Sequence, residues 1–387
     1  MYPAPNAKKS QQKLCTTLLA AGFVVVLGLA ASKARAIAPI GDDASLFVTG
    51  VATIAYNDNI FLSDSHAKSS GVYDLVPGLS YEYGTNNALT KGGLQVYEDF
   101  QEFSSYSSIN NQLFNAVFSN QYEDATSKIN FDASMHQIDQ PQRDIQANNY
   151  LVNRNVYHID LTGEQKLDAS SSIGAGVIFD DTDYRAVGYS DLKTTAIPVN
   201  YYLAVDPKLD FSFGGRVRFN TLEGGNDSTD VYVDIGARGE FTPNLTGEVD
   251  VGYNHQEIDM GRGTSGLGAD ASLTYAYSPK TNIVAGLTDD FGYAADGNTF
   301  RNISASLGFN SAIDEQWAID GTATYGYYTY LAENRQDNFY TVQAGISYIV
   351  NLNFKVRLGY TLYDNSSTVS GASFDDDIVS VTGTLKF

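Results

Sequence analysis

The chain has 387 residues and a formal charge of −21, with 24 Lys and Arg against 45 Asp and Glu. That balance argues against nucleic acid as a partner. Tyr (27), Phe (20) and Gly (35) are frequent, Pro (9) is scarce, and no Pro- or Gly/Ser-rich linker divides the chain. No segment shows convincing helical periodicity, so a string of ordinary domains gives way to one continuous all-β unit.

Residues 1–36 read as a secretory signal peptide. Lys8, Lys9 and Lys13 precede the apolar run LCTTLLAAGFVVVLGLAA, and SKARA places Ala34 and Ala36 where a signal peptidase reads small residues, with cleavage after Ala36. Cys15 lies early in the apolar run rather than at a cleavage site, which argues against a lipoprotein. Cysteine is absent after it, so the exported chain uses no disulfide. The segment holds five basic residues and no acid, leaving 19 basic against 45 acidic residues, or −26, from residue 37 onward. A short periplasmic segment, 37–44, is expected to lead directly into the folded unit at 45–387. That leaves no room for the plug of a TonB-type transporter or for an autotransporter passenger.

Strict alternation begins at SLFVTGVATIAYN (Ser45–Asn57), where Leu46, Val48, Ala52, Ile54 and Tyr56 share a face. It recurs in LDFSFGGRVRF, LTGEVDVGY and NFKVRLGYTLY. In the first of these Leu209, Phe211, Phe213, Val217 and Phe219 oppose Asp210, Ser212, Arg216 and Arg218. Successive strand side chains point to opposite faces, so each segment has one apolar and one polar face. Tight turns fall at GTNN, EDATS, KLDAS, VDPK, FTPN, YSPK, IDEQ and VNLN. Their approximate centres are 86, 125, 168, 207, 243, 279, 315 and 351; the last four intervals are 36 residues each, and one more reaches 387. Between them lie longer connections rich in Asp, Asn, Ser and Gly. Eight short turns and two termini on one side imply nine loops opposite and eighteen antiparallel strands.

An even number of strands with short turns at one end and long loops at the other predicts a transmembrane up-and-down β-barrel, with periplasmic turns and acidic extracellular loops. Lipid offers backbone groups no hydrogen-bond partner, so only a helix or a closed sheet can cross it. Tyr81, Tyr83, Tyr275, Tyr277, Trp317, Tyr325, Tyr327 and Tyr348 are placed to meet the membrane interfaces. The last segment, VSVTGTLKF, alternates to the terminal atom and is predicted to pair with Ser45–Asn57, removing both sheet edges. Its Val381, Gly383, Leu385 and Phe387 resemble the C-terminal signal of outer-membrane barrels, which implies delivery to the barrel-assembly machinery.

Eighteen strands enclose an aqueous lumen. By parity its wall carries Asp210, Arg216, Arg218, Asp234, Arg238, Glu240, Glu248 and Asp250, with Lys355, Arg357 and Lys386 near the seam. Two readings stand side by side: a charged wall that selects solutes, and charges that only satisfy one another. HQIDQPQRDIQANN (His136–Asn149) is the candidate constriction, on length. No catalytic site is expected: of His66, His136, His158 and His255, only His136 has a serine on its own face, Ser134, and no third partner is evident. The acidic runs Asp180–Asp181, Asp289–Asp290 and Asp375–Asp377 match no calcium loop and read as solvated acidic loops. No cofactor or metal is expected.

The first hairpin contains YNDNIF (Tyr56–Phe61) and YDLVPGLSYEYG (Tyr73–Gly84). Over Val48–Gly84 the chain resembles the putative β-barrel porin 2 family, which includes outer-membrane proteins associated with exopolysaccharide biosynthesis and export. The resemblance implies a porin-like barrel and, in some members, service in polysaccharide secretion; it brings no catalytic residues. The expected function is a passive outer-membrane channel for hydrophilic solutes, surrounded by outer-membrane lipid and lipopolysaccharide, with small solutes or polysaccharide as cargo. The alternative is a closed structural or adhesive barrel whose acidic loops bind surface polymer or cations. Charge selectivity stays open, because the net charge favours cations while the Arg216–Arg218–Arg238 cluster opposes them.

Overall fold

The computed structural model describes residues 38–40, 43–84, 87–141, 143, 150–259, 261 and 263–387. The signal peptide expected at 1–36 therefore lies outside the described residues. A short strand, β1 (Ala38–Ile40), precedes eighteen long ones. These are β2 (Ala44–Asn57), β3 (Ser70–Tyr83), β4 (Thr90–Phe103), β5 (Asn111–Glu123), β6 (Ser127–Gln140), β7 (Val152–Lys166), β8 (Ser171–Tyr184), β9 (Leu192–Asp206) and β10 (Leu209–Leu222). The second half comprises β11 (Ser228–Thr242), β12 (Leu245–Ile258), β13 (Thr264–Ser278), β14 (Thr281–Tyr293), β15 (Thr299–Ala312), β16 (Trp317–Tyr330), β17 (Gln336–Asn351), β18 (Phe354–Ser367) and β19 (Phe374–Lys386).

Each long strand pairs antiparallel with its neighbours in sequence, and β19 pairs with β2, so the sheet closes into an eighteen-stranded up-and-down barrel. β1 folds back on the start of β2 and stays outside the ring. The seam runs from Ile378 opposite Asn57 to Lys386 opposite Thr49. The terminal residue is held as well: Phe387 and Val48 exchange both backbone hydrogen bonds at 2.8 Å. Gly383 belongs in this closure because a Cβ there would lie 3.1 Å from the Phe354 ring, which packs with Leu385 over the seam. The predicted closure of the first strand on the last is thus what forms.

The eight turns fall where the sequence puts them, and they alternate with nine loops as predicted. The shortest turns are 207–208, 243–244, 279–280 and 352–353, and register shifts occur in the strands beside all four. Asp side chains build several turns. Asp124 accepts the backbone N–H groups of Thr126 and Ser127 at 2.8 Å, and Asp314 those of Gln316 and Trp317 at 2.8 Å. These donors stabilise the ionised form. The Thr126 N–H first, then the Tyr122 hydroxyl and the Ser127 N–H, hold the Asp124 carboxyl down at about 2. The Gln316 and Trp317 N–H groups likewise hold Asp314 below the usual carboxylate range.

The loops are shorter than their sequences suggest because strand structure continues into them. All three acidic runs lie in strands, not in solvated loops. Asp180–Asp181 is in β8, Asp289–Asp290 in β14 and Asp375–Asp377 in β19. Within each run, alternate carboxylates go to opposite faces. Asp290 meets arginines inside while Asp289 binds Arg301, at 2.5 Å, on the outer face. The PGL motif has a local role: pairing of β3 with β4 skips Val76 and Pro77, since proline has no N–H to give the ladder.

Among the described residues no apolar core fills the barrel. Large apolar side chains instead cover its outside, with Val233 62% and Ile235 58% exposed, while many of the most buried side chains are polar. This inverts the pattern of a water-soluble protein and is the one a lipid solvent selects. Trp317 and Tyr348 pack at 4.7 Å by the turn end, and Tyr325 and Tyr340 at 4.9 Å in the loop half.

Candidate functional site: the lumen wall

Parity fixes which side chains line the interior. On β10, Phe211, Phe213 and Phe219 are exposed outside, so Asp210, Arg216 and Arg218 point in; on β11 and β12, Val233, Ile235, Val251 and Tyr253 do the same for Asp234, Arg238, Glu240, Glu248 and Asp250. Long-range hydrogen bonds agree. Arg238 on β11 donates to Glu164 on β7 at 2.7 and 2.9 Å, and Arg216 and Arg218 on β10 reach Asp290 on β14 at 2.9 Å. Strands four positions apart along the wall can meet this way only through the interior.

The arginines are all consumed by these contacts. Arg218, 14% exposed, donates from Nε to Asp230 (0% exposed) at 2.6 Å and from Nη1 to Asp290. Arg238 also pairs with Asp210 at 3.2 Å and lies over the Tyr202 ring, 3.3 Å from its centroid. Near the seam Arg357 binds Asp320 at 2.5 Å, and Lys386 binds Glu82 at 2.6 Å beneath the Phe47 ring. Glu240 is held by Lys208 at the turn end. Lys355 makes no ion pair among the described residues.

The carboxylates are not all consumed. Asp234, Glu248, Asp250 and Asp270 form no ion pair among the described residues. Asp250 and Asp270 stand directly opposite each other on β12 and β13. Like charges so placed repel and favour a cation between or beside them. Asp250 takes one hydrogen bond from Ser212, at 2.9 Å, and can lie against the wall because Gly236 leaves room. A Cβ at Gly236 would come within 1.9 Å of its Oδ1.

Sequence reading missed the partners: Glu164, Asp230, Asp290, Asp320 and Tyr202. Parity within β7, β14 and β16 could have placed Glu164, Asp290 and Asp320 inside. It could not have chosen them as partners, because the contacts reach two strands away, for Asp320, or four, for Glu164 and Asp290. The histidines also sort differently from expectation. His136 Nδ1 bonds Asn115 at 2.9 Å, whereas the residue opposite Ser134 is His158, whose Nδ1 meets Asp180 at 2.7 Å. No hydrogen bond joins Ser134 to His158 among the described contacts, so the row lacks the nucleophile–base contact of a hydrolase.

Two segments enter the loop end of the lumen. Asn59, in the YNDNIF stretch, is 1% exposed and bonds Ser63 and the Asp375 carbonyl, while Ile60 and Phe61 pack on Phe103. From the far wall comes Arg143, in the candidate constriction; half of that segment, 142 and 144–149, lies outside the described residues. The Arg143 guanidinium sits 4.4 Å from the Tyr328 centroid and 4.1 Å from that of Phe339, on β16 and β17, so Arg143 reaches the opposite wall of the interior.

A closed barrel of eighteen strands, apolar outside and charged within, is the architecture of a transmembrane β-barrel of the bacterial outer membrane. Residues 213–387 match the model of the family described as putative beta-barrel porin 2, the same family that Val48–Gly84 resembles. Among solved structures, the chain is similar to OpdQ of Pseudomonas aeruginosa, with 10% identity over 89% of this chain and 100% of that one, at a TM-score of 0.49. It is similar to a BenF-like porin of Pseudomonas fluorescens Pf-5 at 9% identity, covering 89% and 99%, TM-score 0.49. A third is OccK2 (OpdF) of Pseudomonas aeruginosa in complex with glucuronate, at 8% identity, covering 89% and 98%, TM-score 0.49. No curated protein matches the sequence.

Proposed function

We propose that the protein is a porin-like channel for passive passage of small hydrophilic solutes, with a preference for cations and no catalytic role. One observation carries the preference. The wall arginines Arg216, Arg218, Arg238 and Arg357 are neutralised by carboxylates, whereas Asp234, Glu248, Asp250 and Asp270 keep their charge for the lumen. Rings and stripes of fixed charge set selectivity in pores in this way. The two sequence readings therefore divide the wall between them: its arginines are structural and its surplus acids are functional.

In this reading the short turns face the periplasm, the loops face outside among lipopolysaccharide, and a signal peptide in 1–36 directs export. Val381, Gly383, Leu385 and Phe387 serve assembly by the barrel-assembly machinery. Arg143 marks the constriction. The inward segments narrow the loop end, which favours small solutes over an exopolysaccharide strand. The test is insertion of the purified protein into planar bilayers under a KCl gradient. Discrete conductance steps with a cation-selective reversal potential are expected; no steps above the lipid background would overturn the channel, and an anion-selective potential would overturn the charge assignment.

A further inference from the structure

A chamber of about 550 Å³ occupies the loop end of the lumen beside the seam. It is walled by β2–β4 on one side and β17–β19 on the other, and roofed by Asn59, Ile60 and Leu62 together with Gln140, Pro141 and Arg143. Three carboxylates line it: Asp74 on β3, Asp139 on β6 and Asp376 on β19. None of them takes part in an ion pair among the described residues. The cation that also lines the chamber, Arg143, is committed to the Tyr328 and Phe339 rings.

Each acid is built into the wall rather than left on a loose loop. Asp376 is 2% exposed and is oriented by the Asn57 side chain and the Asn59 backbone N–H, each at 3.3 Å. Asp139 takes a hydrogen bond from Asn111 at 3.2 Å. Asp74 takes a hydrogen bond from the Gln101 side chain but has one carboxylate oxygen enclosed in protein with no donor to it, so it is only partly compensated. Part of the remaining surface is aromatic: Phe339 stacks on Tyr363, with ring centroids 6.2 Å apart, and Phe374 also lines the chamber, among polar side chains such as Thr53, Gln101 and Ser380. Carboxyl groups at separate points, set around aromatic faces, suit a guest with separated positive charges on a hydrocarbon frame.

We propose that this chamber is a binding site for a small organic cation carrying more than one primary ammonium group, held by Asp74, Asp139 and Asp376 with its carbon chain against Tyr363 and Phe374. This deepens the channel reading, on which it rests, by naming the class of solute that pauses on its way through. An ammonium donates to each carboxylate; the aromatic wall takes the methylene groups; and a solute carrying a carboxylate instead meets three like charges.

The probe is spermidine, with glutarate as an anion of comparable reach. In single-channel recordings at low ionic strength, where screening is weak, spermidine is expected to block the current in a concentration-dependent way and glutarate to leave it unaffected. The triple variant D74N/D139N/D376N keeps the volume of the chamber and removes its charge. Its apparent Kd for spermidine is expected to rise about tenfold, the combined size of three partly solvated ion pairs, while KCl conductance steps persist. Titration calorimetry on the detergent-folded full chain reads the same site without current. Block or heat equal in wild type and triple variant, or absent from wild type, overturns the chamber site. Loss of conductance with retained, variant-sensitive heat overturns the channel and leaves the site standing.

Discussion

Replacing Arg218 with methionine tests whether the wall charges hold the barrel together. The guanidinium makes four contacts: Nε to Asp230 at 2.6 Å, Nη1 and Nη2 to Asp290 at 2.9 and 3.3 Å, and Nη2 to the Phe291 carbonyl at 3.0 Å. Asp290 survives the loss, because Arg216, Asn254 and the Phe291 N–H still reach it at 2.7–2.9 Å. Asp230 does not. Its side chain is wholly buried, Oδ1 has no partner, and Oδ2 keeps only Asn220, at 3.0 Å. Removing one member of a buried pair strands the other, at about 3–5 kcal/mol. R218M should therefore lower the unfolding free energy by that amount. R218M/D230N, which removes the stranded charge as well, should recover most of it, with a coupling of about 2–3 kcal/mol in the double-mutant cycle. Urea titration of the refolded barrel, followed by fluorescence of the single tryptophan, Trp317, measures all four proteins. A cost below about 1 kcal/mol for R218M, the size expected of a solvated pair, would mean that lumen water reaches Asp230, and the buried-pair argument would fail.

Three further outcomes follow from the same geometry. Arginine in place of Ile235, exposed on the outer face near the middle of β11, should cost about 2–4 kcal/mol in the same titration in lipid vesicles; a cost under about 1 kcal/mol would show that this face does not meet hydrocarbon. Asp124 is depressed to about 2 in the folded chain, so its turn is stabilised above about pH 4, where the unfolded carboxyl is also ionised, and that contribution fades as pH falls toward 2. D124A should accordingly lose the part of the acid sensitivity seen in wild-type unfolding midpoints between pH 5 and 2.5, and unchanged curves would refute the turn assignment. Deleting Phe387 removes both terminal hydrogen bonds to Val48 and should strip the protein from outer-membrane fractions, as read by immunoblot, while purified protein still folds in detergent; full recovery from the membrane would rule out an assembly role for that residue.

What the sequence made legible was whatever repeats with period two or is written in a turn. Alternation in Leu209–Phe219 gives both faces of β10 because a strand cannot put Phe211 and Arg216 on the same side. VDPK and FTPN mark turns because Asp, Pro and Asn favour turn geometry locally. The closing of Val379–Phe387 on β2 was legible because a membrane sheet has no other way to end. The acidic runs were misplaced for a related reason. Consecutive aspartates look like loop, but near the loop end of a barrel one neighbour turns to the lumen and the next to the rim, as Asp290 and Asp289 do. Partner choice was out of reach. That Arg238 selects Glu164 on β7 depends on strand tilt and stagger, which no local pattern encodes.

The least local of these contacts is also the one most tied to passage. Arg143 starts from the end of β6 and sits between Tyr328 and Phe339 on the far wall, with Arg335 Nη2 3.5 Å from its carbonyl oxygen. Each cation–π contact is worth about 0.5–2 kcal/mol, according to how dry it is. Together they can hold a chain segment across a water-filled lumen against its own entropy. R143A removes both contacts and the side chain's volume, and R143K keeps the charge without the planar stack. If the segment narrows the pore, single-channel conductance should rise and grow noisier in R143A, with R143K between it and wild type. An R143A conductance equal to that of wild type would mean that the current passes elsewhere and that this crossing segment braces the barrel without gating what moves through it.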